Sequence, residues 1–187
     1  MGTNAKEAIL TAGRQSAQAH GYGGLNLRDL ANEVGIKAAS IYHHFPSKAD
    51  LAAAIAERYW QDTKAWLDEV ASQRGDPTES LRAYPNSFRM SLENGNRLCL
   101  GSFMGAEYDD LPEAVRREVQ TFADINVAWL SKRLVDAGLV AVEDSENRAR
   151  AIFAAIAGAQ LLARSRSDVS LFDTMIESYR AAGLLPA

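Results

Sequence analysis

The sequence predicts an all-α protein of about nine helices, with three short helices at the N-terminus followed by longer ones. Helix-capping residues and apolar side chains spaced three and four apart recur along the whole chain of 187 residues. Runs in which β-branched residues alternate with polar ones, the pattern of a strand, are missing from the sequence. The helical stretches are short in the first 48 residues and longer thereafter.

The first three predicted helices are each bounded by local signals. An asparagine followed three residues later by an acidic residue, at Asn4 and again at Asn26, is the pattern of a helix N-cap. Gly35 is expected to end the second helix, and Pro46 the third, because proline disfavours helical backbone in the residue before it. The predicted ranges are 5–20, 27–34 and 38–45.

Six further helices are predicted to follow. Ser47 with Asp50 caps the fourth, and Asp76 before Pro77 opens the fifth with a cap and a proline in the first turn. Pro85 is expected to kink the fifth helix or end it early, since proline breaks a helix interior. The predicted ranges are 48–72, 77 onward, 97–108, 113–137, 145–165 and 169–182.

The helix from Lys48 to about Ser72 connects the short helices to the longer ones without a flexible linker, so we expect two domains, residues 1–48 and 49–187. The first 48 residues carry five basic and three acidic side chains, for a net +2, and hold all three histidines. The other residues carry a net −6, so the overall charge of −4 hides a basic segment. Opposite charges suggest a different partner for each part.

Composition excludes several classes of protein. A hydrophobic share of 47% and a charged share of 24% are typical of a globular chain rather than a disordered one. No window approaches the roughly 18 consecutive apolar residues of a membrane span, and the start lacks a signal peptide's apolar core, so a cytoplasmic location is expected. The single cysteine, Cys99, and three histidines lead us to expect no disulfide, metal site or cofactor.

Two helices of about eight residues with Gly35 between them have the spacing of a helix-turn-helix. The second of these helices is expected to enter the major groove of DNA, which is about as wide as a helix. Lysines at both of its ends offer charge to phosphates, and the hydroxyl and ring N–H groups between them offer hydrogen bonds. The predicted DNA-contacting residues are Arg28, Lys37, Ala38, Ser40, Tyr42, His43 and Lys48.

The stretch from Gly21 to Leu51 resembles the DNA-binding signature of TetR-type transcriptional regulators. The shared features are Gly21-Tyr22, Leu30-Ala31, the turn glycine Gly35, and Tyr42-His43-His44-Phe45 with Lys48. Two positions depart from the family pattern. Leu25 replaces the usual threonine, which leaves the capping of the second helix to Asn26, and Ala38 replaces a common lysine.

The resemblance implies a homodimeric, ligand-responsive repressor that binds a palindromic operator. It implies that Tyr42 and His43 touch phosphates or bases, and that Lys48 binds a phosphate. It also implies that an effector held by the C-terminal helices changes the separation of two recognition helices in the dimer. The predicted dimer contact uses helices around 145–182, and the middle of the eighth helix, 145–165, is apolar nearly all round and rich in small residues.

The predicted effector site is a largely apolar cavity in the C-terminal domain, suited to a small apolar or electrophilic molecule. Its candidate residues are mainly aromatic or polar side chains that interrupt apolar stripes, and each taken singly is more often a core residue. They are Trp66, Phe88, Cys99, Phe103, Phe122, Asn126, Trp129 and Gln160.

Cys99 supports an alternative function, a thiol-based regulator. The stretch from Arg97 to Val119 is similar to a TetR subgroup in which some members use this cysteine to sense electrophiles or oxidants. A reactive thiol needs its pKa lowered by a nearby cation or a helix N-terminus, and Arg97 is close in sequence. A small buried apolar residue is the competing interpretation.

Two other classes of function have less support in the sequence. A thiol enzyme needs a base within hydrogen-bond reach of Cys99, but every histidine lies in the N-terminal part, so no enzymatic activity is expected. A helical interaction module without DNA binding would not need the basic and aromatic residues from Lys37 to Lys48.

Overall fold

The chain is helical throughout the residues that the computed structural model describes, which are 2–187 for the backbone and 5–187 for the side chains. No strand occurs in this range, which confirms the predicted all-α fold, and no helix in it is long and apolar enough to span a bilayer. The helices are α1 (Gly2–His20), α2 (Leu27–Val34), α3 (Ala38–His44), α4 (Lys48–Arg74), α5 (Pro77–Ala83), α6 (Asn86–Glu93), α7 (Leu100–Ala106), α8 (Glu113–Asp136), α9 (Val142–Arg166) and α10 (Val169–Ala181). A 3-10 helix spans Tyr108–Asp110.

The described residues form ten α-helices rather than the nine predicted, and Pro85 explains the difference. The predicted fifth helix ends at Ala83 and a new helix begins at Asn86, because Pro85 lies between them. Its missing N–H removes a helical hydrogen bond, and its ring crowds the preceding turn. The expected early end of the fifth helix at Pro85 is therefore confirmed.

Three other helices begin three residues away from the predicted start, and one of them, α9, begins at Val142 rather than Ser145. Helix α7 begins at Leu100 rather than near residue 97, because Gly95 and Asn96 adopt positive φ angles of 74° and 57° and form a turn. Helix α1 begins at Gly2, before the predicted cap at Asn4, and the side chain of Asn4 lies outside the described residues.

The chain divides into two compact units, each made of two stretches of sequence. Unit 1 comprises Met1–Gln61 and Leu100–Phe122, and unit 2 comprises Asp62–Cys99 and Ala123–Ala187. A segment from the middle of the chain therefore packs with the first three helices. The functional boundary at residue 48 stays a prediction, because a packing unit does not mark where DNA binding ends.

Unit 1 has an apolar core to which each N-terminal helix contributes. Ile9 of α1, Leu30 of α2 and Ile41 of α3 are at most 2% exposed. Ile55 of α4 approaches Gly13 of α1 so closely that a Cβ on the glycine would press on its side chain. Helix α1 thus serves as the support on which α2, α3 and α4 pack.

An aromatic contact links α4 to α8 within unit 1. The ring centroids of Tyr59 and Phe122 are 5.4 Å apart, and the guanidinium of Arg14 lies 4.7 Å from the Tyr59 ring. Gly101 of α7 lies against Phe122, where a Cβ would overlap the ring. The absence of a side chain at Gly101 therefore lets α7 pack closely on α8.

Unit 2 is organised around α9, which packs against α6 and α10. Ile152 and Ile156 on the inner face of α9 are fully buried. Helices α6 and α10 are also joined by Arg89, whose Nε and Nη2 donate to the two carboxylate oxygens of Asp173 at 2.8 and 3.1 Å. The hydrogen bond to Asp173 raises the pKa of the Arg89 guanidinium, so Arg89 stays positively charged.

Gly101→Ala is expected to destabilise unit 1. Its new Cβ would overlap the Phe122 ring, and overpacking a filled core costs about 1–3 kcal/mol. Gly105→Ala on the same helix is the control, because its Cβ would meet only Val119 Cγ1 at 3.9 Å and alanine favours the helix. Urea unfolding followed by circular dichroism measures both variants, and equal midpoints would contradict the close packing of α7 on Phe122.

Candidate nucleic-acid interface

Local signals place α2 and the turn that follows it. Asn26 Oδ1 accepts hydrogen bonds from the N–H groups of Arg28 and Asp29 at 2.9 and 3.4 Å, which confirms the predicted cap of α2. Gly35 follows α2 with φ 74° and ψ 33°, a left-handed conformation that glycine adopts without steric cost. The backbone turns there into α3, as the spacing predicts.

Helix α3 buries one face and exposes the other. Ile41 is fully buried, and Phe45 at the end of the helix is 3% exposed, where α3 packs against α1 and α2. Tyr42 is 52% exposed and His43 is also exposed. The outer face of α3 therefore presents a phenol and an imidazole, side chains that hydrogen-bond phosphates and base edges.

The structure brings all seven predicted DNA-contacting residues into unit 1, on α2, on α3 and beside the ends of α3. Four of them are exposed: Arg28, Lys37, Tyr42 and His43. Three are half-buried: Ala38, Ser40 and Lys48. Their common location fits a single contact surface, and contact with DNA by each side chain remains a prediction.

Lys48 is held by the turn between α1 and α2. Its Nζ donates to the carbonyl oxygen of Gly23 at 3.2 Å and lies 4.6 Å from the centroid of the Tyr22 ring. Burial raises the pKa of Tyr22 above its usual value, so a neutral ring lies beneath the ammonium group. This support was not identified from the sequence because Gly23 lies 25 positions before Lys48.

One basic residue near the end of α3, Lys6, was not among the residues predicted from the sequence. The Nζ of Lys6, on α1, lies 5.8 Å from the centroid of the Phe45 ring, beside the end of α3. The only available signal was its positive charge in a short basic segment. Lys6 therefore places a cation beside the end of α3.

The eight predicted effector residues are divided between the two units. Phe103 and Phe122 belong to unit 1, and the other six belong to unit 2. The half-buried members are Trp66, Phe103 and Trp129, and the buried members are Phe88, Cys99, Phe122, Asn126 and Gln160. Such burial fits core packing as well as a closed pocket, so effector contact remains a prediction.

Tyr84 connects three of the predicted effector residues within unit 2. Its ring stacks on Trp129 at a centroid distance of 5.7 Å and lies 5.9 Å from Phe88. Its hydroxyl donates to Asn126 Oδ1 at 2.8 Å, and the whole side chain is buried. Tyr84 was not identified from the sequence, where the available signal was an aromatic residue directly before the helix-breaking Pro85.

Gln160 and Cys99 meet in a buried polar contact. Gln160 Oε1 accepts the backbone N–H of Cys99 at 2.9 Å, and its Nε2 donates to the carbonyl oxygen of Phe88 at 2.7 Å. The amide thus ties α9 to α6 and to the residue before α7. Cys99 is 2% exposed, which is typical of a small packing residue rather than a reactive thiol.

A groove of about 670 Å³ lies between α8 and α9 in unit 2. Its lining combines apolar residues such as Val127 and Val135 with charged ones such as Glu146 and Arg150. Its lining includes none of the eight predicted effector residues, which all belong to the described part of the chain. Residues 5–187 also hold no group of three His, Cys, Asp or Glu side chains arranged to bind a metal ion.

Asn26→Ala is expected to lower the free energy of unfolding by about 1 kcal/mol, the usual cost of losing a helix N-cap. Asn32→Ala is the matched control, because Asn32 is exposed inside α2 and alanine is the better helix former there. Urea denaturation of the full chain compares the two. A loss of stability in Asn32→Ala as large as that in Asn26→Ala would contradict the capping role.

The N-terminal part of the chain matches a known protein family. Residues 9–55 match the family model described as bacterial regulatory proteins, tetR family. The HTH-type transcriptional repressor AcnR of Corynebacterium glutamicum is 34% identical over 73 residues, which are 39% of this chain and 37% of that protein. The similarity to this curated relative therefore spans little more than a third of its length.

Solved structures share the fold along nearly the whole chain. A TetR-family transcriptional regulator from Agrobacterium tumefaciens is 28% identical with a TM-score of 0.87, over 94% of this chain and 95% of that one. A TetR transcriptional regulator from Legionella pneumophila is 26% identical with a TM-score of 0.89, over 95% and 96%. Together with the match of residues 9–55, these structures support the assignment of the chain as a tetR-family regulator.

Proposed function

We propose that the protein is a transcriptional repressor that binds a palindromic DNA operator as a homodimer, with α3 as its recognition helix. The observation that carries this proposal is the outer face of α3. Tyr42 and His43 are exposed there, close in sequence to the exposed Lys37, while Ile41 anchors the helix from the inside. A helix held from one side with hydrogen-bonding groups on the other fits the major groove.

Charge supports DNA as the partner of the first 48 residues. The first 48 residues carry a net +2 in a chain whose overall charge is −4. Contacts from lysine and arginine to phosphates supply affinity that does not depend on sequence, and Arg28, Lys37 and Lys48 are suited to them. The name of the relative AcnR, a transcriptional repressor, is our reason for proposing repression. Because bacterial DNA lies in the cytoplasm, we expect the protein to act there.

The outer face of α9 supports a homodimer. Leu161 and Leu162 are 56% and 51% exposed, and Ala154 and Gly158 are exposed on the same face of the helix. Small residues allow a partner helix to approach closely, and the leucines supply apolar surface to bury. A four-helix bundle formed by α9 and α10 of two copies would cover this face. Its two-fold symmetry would match that of a palindromic operator.

We also propose that a small, mainly apolar effector binds in unit 2 near Tyr84 and releases the operator. The Tyr84 ring there contacts the rings of Phe88 and Trp129. The buried amides of Asn126 and Gln160 bond to these residues or to their backbone. Apolar walls with a few oriented polar groups are the usual composition of a ligand site.

The two alternatives that involve Cys99 have less support. Reactive cysteines lie in partly exposed, electropositive surroundings, whereas Cys99 is 2% exposed and its N–H is bonded to Gln160. A thiol enzyme would need Cys99 to be accessible to a substrate and to a base, and its 2% exposure does not favour this. We therefore propose a regulator that responds to a bound molecule.

Selection from a random duplex library is expected to enrich a palindromic sequence that the full chain binds. With the selected duplex, Tyr42→Ala and Lys48→Ala are each expected to weaken binding by about 1–3 kcal/mol, the scale of one good contact. Fluorescence anisotropy measures the affinities at one fixed salt concentration, because phosphate contacts make the affinity depend on salt.

Lys64→Ala is the matched control for these variants. Lys64 is an exposed lysine further along α4, in unit 2, paired with Asp68 at 2.7 Å. Its replacement should leave the affinity for the duplex unchanged. If no duplex is enriched, the proposed function is wrong, and if both Tyr42→Ala and Lys48→Ala bind normally, these residues do not contact DNA.

Replacing Leu161 and Leu162 together with glutamate is expected to convert a dimer into monomers, because the contact would bury unpaired charges. Analytical ultracentrifugation measures the molecular mass of each variant. Met90→Glu is the control, since Met90 is an apolar residue 57% exposed on α6 of the same unit. A monomeric unsubstituted protein, or a dimer that survives both substitutions, would count against the proposed interface.

A further inference from the structure

Unit 1 contains a segment from the middle of the chain in addition to the helix-turn-helix. This segment, Leu100–Phe122, comprises α7, the 3-10 helix and the first part of α8. It is joined to unit 2 at both ends, at residues 99–100 and 122–123. A residue of this segment that holds the helix-turn-helix is therefore placed to affect DNA binding without touching DNA.

Glu107, which directly follows α7, holds the turn between α1 and α2. Its Oε2 accepts the backbone N–H of Tyr22 at 2.8 Å, although the two residues are 85 positions apart. Gly21 makes room for the contact, because its φ is 67° and a Cβ there would overlap the Glu107 carboxylate. An ionised acceptor makes a stronger hydrogen bond than a neutral one, so this contact restrains the turn effectively.

The same turn holds Lys48. The Tyr22 ring lies 4.6 Å from the Lys48 ammonium, and the carbonyl oxygen of Gly23 accepts a hydrogen bond from it at 3.2 Å. Lys48 begins α4, three residues after Phe45 at the end of α3, which places its ammonium in the proposed DNA-binding surface. Glu107 therefore fixes the backbone of Tyr22, and the ring of Tyr22 supports the Lys48 ammonium.

Glu107 is itself presented by a braced segment. Arg116 of α8 donates from Nε to the carbonyl oxygen of Tyr108 at 3.1 Å and from Nη2 to that of Asp109 at 3.2 Å. Its guanidinium also lies 4.5 Å from the Tyr108 ring. These contacts fix the backbone directly after Glu107, so the carboxylate is held toward the turn by more than its own hydrogen bond.

We propose that Glu107 is a positioning residue for DNA binding: its carboxylate fixes the α1–α2 turn, and the turn holds the Lys48 ammonium where it meets a phosphate. This inference rests on the proposed DNA-binding function. By charge alone, a carboxylate near the DNA backbone repels it, so its removal would strengthen binding. Positioning requires the opposite sign, a weaker complex when Glu107 is lost.

The test uses the full chain and the duplex selected by the unsubstituted protein. Glu107→Ala is expected to weaken binding roughly three- to tenfold, the range for losing one hydrogen bond. Glu107→Gln keeps an oxygen that accepts the Tyr22 N–H and is expected to recover most of the affinity. Asp110→Ala removes an exposed carboxylate three residues further along, and binding should be unchanged or slightly tighter.

A double-mutant cycle separates positioning from a general loss of structure. In the Lys48→Ala background, Glu107→Ala is expected to have little further effect on affinity, because its influence acts through Lys48. If circular dichroism shows that Glu107→Ala does not fold, Tyr22→Leu takes its place in the cycle. That variant removes the ring beneath Lys48 and keeps the N–H that Glu107 accepts.

Binding by Glu107→Ala that equals or exceeds binding by Asp110→Ala overturns this inference and leaves the proposed function intact. An equal loss with and without Lys48 also overturns it, because the effect would then be structural. Normal binding by Tyr22→Leu overturns it where that variant is used. Failure of the unsubstituted protein to select any duplex overturns the proposed function itself.

Discussion

The burial of Ile41 and Phe45 is the constraint on which the proposed DNA-binding surface depends. A helix of seven residues is not stable by itself in water, because so few hydrogen bonds do not offset the cost of nucleation. Helix α3 is therefore helical because its inner face packs on α1 and α2. The same packing decides that Tyr42 and His43 face outward, so folding and the proposed recognition depend on opposite faces of one helix.

The distribution of charge matters more for this protein than its total. A net charge of −4 would disfavour DNA if it were spread evenly, but the first 48 residues are basic. Glu107 is an acidic residue that packs against this basic segment, where its charge by itself does not favour DNA. Its hydrogen bond to the Tyr22 N–H gives it a structural role there, through a turn that also holds Lys48.

Features with local causes were predictable from the sequence, and contacts between distant residues were not. The cap at Asn26, the turn at Gly35 and the break at Pro85 each depend on residues within a few positions. The contact of Glu107 with Tyr22 joins residues 85 positions apart and follows no periodic pattern. Tyr84 was missed for the same reason, because its partner Asn126 lies 42 positions away on another helix.

Hydrogen exchange of the full chain, with and without the selected duplex, tests the placement of α3 most directly. We predict that DNA protects the amides of residues 37–48 most strongly, with a second protected stretch at residues 21–24. Exchange at α3 that is unchanged in the saturated complex, or protection confined to unit 2, would contradict the assignment of α3 as the recognition helix.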